Sequence, residues 1–417
     1  MDEVFVGGWN QATGLTFDEN GRMYVYEKSG KVWVVENGNK LSTPLIDISE
    51  EVGNWRDFGL VGFALDPNFL NNGYIYLLYI VDRHHLLNFG TPSYDPSTNA
   101  YFEATIGRIT RYTARASTNF TTVDYNSRRV LFGESVDTGM PSLHQSHGVG
   151  DLVFGTDGTL LACLGDGASY GSVDEGSAGE TYYSTALSDN IIRPDENVGA
   201  YRCQMANSFN GKIIRIDPST GDGLPSNPFY NASNPRSPQS RTYALGVRNP
   251  YRMCLRPETG SHQASDGDPG TFYFGDVGWG THEELNVLSA PGQNFGWPKY
   301  EGLTYQPGYD NPDFSPSSHE RPKVDWRNST PSVYVNGNIY NVGSSNFPGN
   351  TFQGNASTGG IWYTGDDFPA EYKNTYFHAD YGRGWIRNFS FDENNYPTAL
   401  RTFTSDVGAV VKLATSP

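Results

Sequence analysis

An all-β chain built as a six-bladed propeller, with its sixth blade incomplete at the C-terminal end, is the fold this sequence predicts. Three observations carry the prediction. The composition suits short strands and tight turns, with 48 Gly, 25 Pro and 14% aromatic residues in 417. Glycine supplies the positive φ that turns need, and aromatics favour half-buried pleated surfaces. One unit, strand-turn-strand followed by a third strand that mostly opens on glycine, recurs five times. The copies are far apart and unevenly spaced, so each forms a small sheet that covers its faces against its neighbours around an axis.

The first copy is GLTFDENGRMYVYE (14–27) with GKVWVV (30–35). GLVGFALDPNFLNNGYIYLLYI (59–80) with GRITRY (107–112) is the second, and GDLVFGTDGTLLACLGD (150–166) with GKIIRI (211–216) the third. The fourth has a longer turn between YRMCLRPETG (from 251) and TFYFGD (from 271), then the looser third strand EELNVL (283–288). GGIWYTGDDFPAEYKNTYFHAD (359–380) with GWIRNF (384–389) is the fifth, and VGAVVKLATSP (407–417) reads as the inner strand of a sixth. Insertions at 81–106 and 167–210 account for the uneven spacing. No Pro/Ser-rich or charged linker divides the chain, so 1–417 reads as a single β-propeller domain, a fragment of a longer secreted protein.

The net charge of −17, from 46 acidic and 29 basic residues, argues against a nucleic-acid partner because no basic stripe offsets it. Met1 to Thr16 lack the charged start and apolar core of a signal peptide, and no run is long and apolar enough to span a membrane. Cys163, Cys203 and Cys254 cannot all pair and lack zinc-site spacing; Cys163 and Cys254 fall inside strands, as small buried thiols do, and one disulfide is the alternative.

The chemistry concentrates in HQSHGVGDLVFGTDGTLLACLGDG (144–167). In an antiparallel hairpin, residues equidistant from the turn lie at the same end, so the turn GTDG at 155–158 makes His147 and Asp166 neighbours. A carboxylate beside a histidine fixes the imidazole tautomer and stabilises the charge it gains as a general base, worth about 10²-fold to 10⁴-fold in rate. The same pair could instead tie loops together. Applied to every unit, the hairpin geometry brings Gln11 with Glu27, Arg56 with Asp57, Arg248 and Asn249 with Asp276, and His378 with Asp380 to the same rim. HQSH does not read as a metal pair on a helix, because the glycines of HGVG break one. DPSTGDG (217–223) lacks the closing Glu of a calcium loop and reads as a turn.

These segments resemble the pyrroloquinoline quinone (PQQ) dependent sugar dehydrogenases, the soluble glucose and aldose dehydrogenases with a six-bladed propeller. The motifs are GLVGFALDPNF, HGVGDLVFG with its downstream GD, NGKIIRID, YALGVRNP, GDVGWGTHEELN and QNFGWP, and the resemblance runs from about residue 10 to the end. It implies His147 as catalytic base and Asp166 as the carboxylate that orients it. Arg248 and Asn249 would hold the quinone's reacting carbonyl, and Gly278 and Trp279 would offer backbone carbonyls to Ca²⁺, with Trp279 where the glucose enzymes carry Pro. An aldose would lose its anomeric proton to His147 and hydride to the quinone, leaving a lactone, with Ca²⁺ and Arg248 stabilising the negative quinone oxygen.

This chain departs from the glucose enzymes at three further places. Asp57 stands in WRDFGL where they show Gln. Arg383 in HADYGRGWIRN is the nearest cation to their cofactor-binding Lys, and AVVKL (409–413) replaces an Arg-x-Arg pair. The expected cofactor-binding set is therefore Arg248, Asn249, Asp57 and Arg383. The expected partners are a sugar and an external electron acceptor, in the periplasm or outside the cell. Hedgehog-interacting-type proteins share this architecture, so a non-enzymatic binding propeller is the alternative reading. A calcium-dependent hydrolase would need rim carboxylates converging on the metal, whereas the resemblance implies backbone ligands. Trp279, Trp297 and Tyr300 read either as a platform for a pyranose ring or as blade packing.

Overall fold

Each of the five repeated units forms its own antiparallel sheet. The structure is a computed structural model describing residues 5–328 and 330–417, so the first four residues of the N-terminal stretch considered above lie outside it. The first three strands are Ala12–Phe17, Met23–Glu27 and Lys31–Glu36 in the first sheet, and Leu60–Leu65, Tyr74–Ile80 and Thr105–Ala114 in the second. Val149–Phe154, Leu160–Leu164 and Lys212–Ile216 build the third, and Pro250–Leu255, Phe272–Asp276 and Glu283–Leu288 the fourth. Ser357–Tyr363, Thr375–Asp380 and Trp385–Phe391 build the fifth. The third strands begin close to where the sequence places them. Gly30, Gly211 and Gly384 precede them with φ of 98°, 64° and 58°, a left-handed turn that glycine enters at little cost.

Consecutive sheets bury their facing side chains against each other. Tyr24, Val32 and Val34 of the first sheet meet Leu60, Phe63 and Leu77 of the second. Leu78 and Ile80 then meet Leu152 and Ile214, and Leu161 and Ile213 meet Phe272 and Phe274. Tyr273 and Leu285 meet Trp362 and Phe389. Each such side chain stabilises the fold by about 1.5–3 kcal/mol on leaving water. Among the described residues no equivalent core joins the fifth sheet to the first.

The sixth blade is therefore a correction: five blade sheets form beside a two-stranded hairpin of Tyr300–Glu301 and Thr304–Tyr305, and residues 407–417 belong to no strand. A strand needs a backbone ladder, and beyond a single bond from the Val407 N–H to the Gly384 carbonyl at 2.9 Å this segment is held by side chains of its neighbours. Thr358 Oγ1 donates to the Val410 carbonyl at 3.0 Å and Arg252 Nε to the Val411 carbonyl at 2.8 Å.

All five inner strands share one irregularity. Pairing slips between Ala12 and Gly14, Leu60 and Gly62, Val149 and Leu152, Pro250 and Met253, and Ser357 and Gly359. A slip takes a residue out of the ladder and frees its backbone for other partners. Arg252, only 1% exposed, uses them, donating to the carbonyls of Val61 and Thr13 as well as Val411. Asp151, inside another slip, pairs with Lys412. Gly150 is required here, since a Cβ would fall 2.1 Å from the Pro250 carbonyl oxygen of the next inner strand.

Candidate active site

The inner strands begin around a cavity of about 550 Å³ whose walls include His147, Asn249, Lys28, Arg56, Asp57 and Tyr381. Thr13, Val61 and Val411, whose carbonyls hold Arg252, line it as well.

His147 and Asp166 flank the hairpin as expected. Nδ1 of His147 lies 2.8 Å from Asp166 Oδ1. An ionised carboxylate only accepts, so Nδ1 carries the proton and Nε2 keeps a lone pair. Nε2 has no hydrogen-bond partner among the described residues, and the side chain borders the cavity. Asp166 is fully buried and fully engaged: Trp297 Nε1 donates to Oδ2 at 2.9 Å and the Ala168 N–H to Oδ1 at 3.0 Å. Its own N–H donates to the Arg248 carbonyl at 2.7 Å, which locks the third sheet to the fourth. His147 takes φ 58°, a left-handed conformation costly for a non-glycine residue, and Gly165 makes room for it because a Cβ there would sit 2.4 Å from the His147 carbonyl oxygen.

The electrostatics keep this imidazole neutral. Burial lowers its pKa below the ordinary 6.5 and the nearby Arg248 charge lowers it further, while Asp166 opposes both. Burial alone would raise the Asp166 carboxyl, but His147, its hydrogen bond and Arg248 bring it below its ordinary value. The carboxylate is thus ionised and the histidine unprotonated at neutral pH.

Arg248 stands elsewhere than expected. Its guanidinium does not border the cavity; Nη1 donates to the Val277 carbonyl at 2.8 Å and the Gly278 carbonyl at 2.9 Å, and the group lies 5.3 Å from the Trp297 ring centre. Asp276 bonds the backbone N–H groups of Arg248 and Asn249, at 2.9 and 2.6 Å, rather than the guanidinium. Burial pushes the Asp276 carboxyl up to about 7 against those two bonds. Asn249 does reach the cavity wall.

Of the two carbonyls expected to ligate Ca²⁺, that of Gly278 does not fit the ion. Gly278 O already accepts a cationic guanidinium, whose charge repels a second cation at the same oxygen. The Trp279 N–H is turned onto the Glu301 carboxylate, and its indole donates to the Tyr170 carbonyl at 2.8 Å. No cluster of three or more His, Cys, Asp or Glu side chains is arranged for a metal among the described residues.

Other expected residues divide. Asp57 and Arg56 border the cavity, with Asp57 accepting from Ser146 Oγ. Gln11 borders it too, but Glu27 takes the Asn10 N–H at 2.8 Å and pairs with Lys40 at 3.4 Å. Arg383 is exposed and does not line the cavity, because its turn is tied back by its own N–H to Asp380 at 2.9 Å. His378 and Asp380 are buried tethers rather than rim groups. His378 bonds Ser357 Oγ at 2.9 Å, and Asp380 gathers Trp326 Nε1 and the N–H groups of Asn355 and Ala356. Trp297 and Tyr300 are packing: one is held on Asp166, and the other stacks on His319 at 3.8 Å between ring centres. The three cysteines are unpaired with one another, and Asp217 closes a turn on Ser219. Sequence reasoning missed Lys28, whose place after the second strand of the first sheet gives the signal for a rim position.

A PQQ-sized planar ligand with carboxylates fits the residues present better than calcium does. The cavity is roomy and carries two cations, Lys28 and Arg56, against one carboxylate, Asp57.

The HIPL2 protein of Arabidopsis thaliana is 26% identical over 440 residues, covering 96% of this chain and 55% of that protein. Quinoprotein glucose dehydrogenase B of Acinetobacter calcoaceticus is 24% identical over 324 residues, covering 76% of this chain and 56% of that protein. Human hedgehog-interacting protein is 27% identical over 266 residues, covering 60% and 31%. The chain spans about half the length of the first curated relatives it matches. Among solved structures, the PQQ-bound aldose sugar dehydrogenase of Streptomyces coelicolor superposes with TM-score 0.63 at 19% identity, covering 99% of this chain and 87% of that one. The apo-form soluble aldose sugar dehydrogenase of Escherichia coli gives 0.62 at 18%, covering 98% and 92%. These likenesses establish a shared propeller fold, and the glucose/sorbosone dehydrogenase pattern matches residues 9–364, so the chain belongs to the glucose/sorbosone dehydrogenase family.

Proposed function

We propose that this protein oxidises an aldose or related sugar at its anomeric hydroxyl, giving a lactone, with PQQ as the bound oxidant. The observation that carries the reading is the His147–Asp166 pair, with Nε2 unengaged at the wall of a cavity large enough for a sugar beside a planar cofactor. His147 takes the hydroxyl proton at Nε2, and Asp166 holds the ring and offsets the charge it gains. Asn249 and the cavity cations orient the ligands. PQQ, when bound, supplies a two-electron acceptor for the hydride lost from the sugar carbon. No step is assigned to calcium. Periplasmic or extracellular oxidation, with an external acceptor drawing off the electrons, completes the reading.

The experiment is PQQ titration of the purified protein, followed by dye reduction over a panel of aldoses, with His147→Ala as control. Saturable PQQ binding and sugar-dependent turnover abolished by the substitution support the proposal. Turnover untouched by His147→Ala removes that residue from its role. A second reading, a binding propeller without redox chemistry, is favoured by one feature: Arg248 is committed to two backbone carbonyls instead of the cavity. It prevails if PQQ does not bind.

A further inference from the structure

We infer that Lys28 and Arg56 form the anion-binding wall of the cavity and hold the carboxylates of a planar ligand, the part the sequence led us to expect of Arg383. The inference rests on the PQQ reading above. Both side chains border the cavity, and among the described residues neither has an ion-pair or side-chain hydrogen-bond partner; the Arg56 guanidinium only lies 5.8 Å from the Phe102 ring centre. In a chain of net charge −17, two cations left without carboxylate partners at the mouth of one cavity mark a place for an anion. Asp57, the only acidic residue bordering it among the described residues, is already engaged by Ser146.

The fold places Lys28 with care. Its N–H donates to the Gln11 carbonyl at 3.0 Å, and its carbonyl accepts from Leu60 N–H at 2.9 Å, so the residue is clamped between the first two sheets. Gly59 allows the clamp: a Cβ there would lie 2.4 Å from the Lys28 carbonyl oxygen and 2.5 Å from its Cγ. Arg56 takes φ 47°, a strained conformation that keeps its side chain at the cavity. Burial lowers the Lys28 ammonium pKa, with Asp57 opposing, and a bound carboxylate would offset that loss of hydration.

The test is equilibrium PQQ binding, followed by tryptophan quenching and calorimetry. It compares wild type with Lys28→Met, Arg56→Met, the double variant and Arg383→Met, each checked for an unchanged melting temperature. Each cavity substitution is expected to weaken binding about 10-fold or more, as loss of one charge-assisted hydrogen bond does. The double variant should be weaker still with a shallower salt dependence, Lys28→Arg should recover most of the affinity, and Arg383→Met should bind as wild type does. Wild-type binding that Lys28→Met and Arg56→Met leave unchanged overturns this inference while the cofactor reading stands. Loss of affinity in Arg383→Met alone does the same. Wild-type protein that does not bind PQQ overturns both.

Discussion

The Trp297 indole donates to Asp166 Oδ2 at 2.9 Å, on the oxygen that His147 leaves free. A buried carboxylate deprived of that donor bears an unmet acceptor. Trp297→Phe keeps most of the packing and is expected to cost about 1–3 kcal/mol of stability, read from urea denaturation. An unchanged midpoint would mean that the indole bond contributes nothing.

Asp166→Asn preserves shape and removes charge. If the proposed oxidation is right, turnover falls by about 10²-fold or more while sugar KM moves little. The pH profile gives a separate check. A neutral base is needed, so wild-type kcat/KM declines as pH drops through the His147 pKa, which lies below 6.5. Asp166 raises that pKa, so in the Asn variant the acid limb should move to lower pH; a shift to higher pH contradicts the assignment.

With Gly278 O held by Arg248, adding calcium to millimolar level or removing it with a chelator is expected to leave the melting temperature unchanged. A rise on adding calcium would show that the guanidinium gives way to the ion.

His378 is buried with its pKa pushed down to about 3 by loss of hydration. The unfolded chain takes a proton there below about 6.5, while the folded one stays neutral. Stability is therefore lost as pH falls from 6.5 toward 3, by up to about 1.4 kcal/mol per pH unit from this one group. His378→Phe should flatten part of that slope in denaturation curves compared at neutral and mildly acidic pH.

Much of this was legible in the chain. The recurring strand-turn-strand units and their mostly glycine-led third strands locate the five sheets, and EELNVL at 283–288 is a strand over those same residues. The hairpin arithmetic around GTDG placed His147 on Asp166 because register is local. What failed was non-local. Trp297 reaches Asp166 across 131 residues, and nothing in QNFGWP reveals that. Hairpin geometry and the family pattern both put Arg248 at the rim, yet its side chain answers to the Val277 and Gly278 carbonyls. The sixth blade rests on the segment VGAVVKLATSP and on the family resemblance, and neither supplies a pairing partner. Glycines near the start of four of the five inner strands, at 14, 62, 150 and 359, sit at the register slips. That recurrence was visible before any coordinates, though its meaning was not.

Arg252 bridges the Thr13, Val61 and Val411 carbonyls, residues that also line the His147 cavity, so one guanidinium staples three distant stretches of the chain behind that wall. Remove it and three carbonyls lose their donor at once.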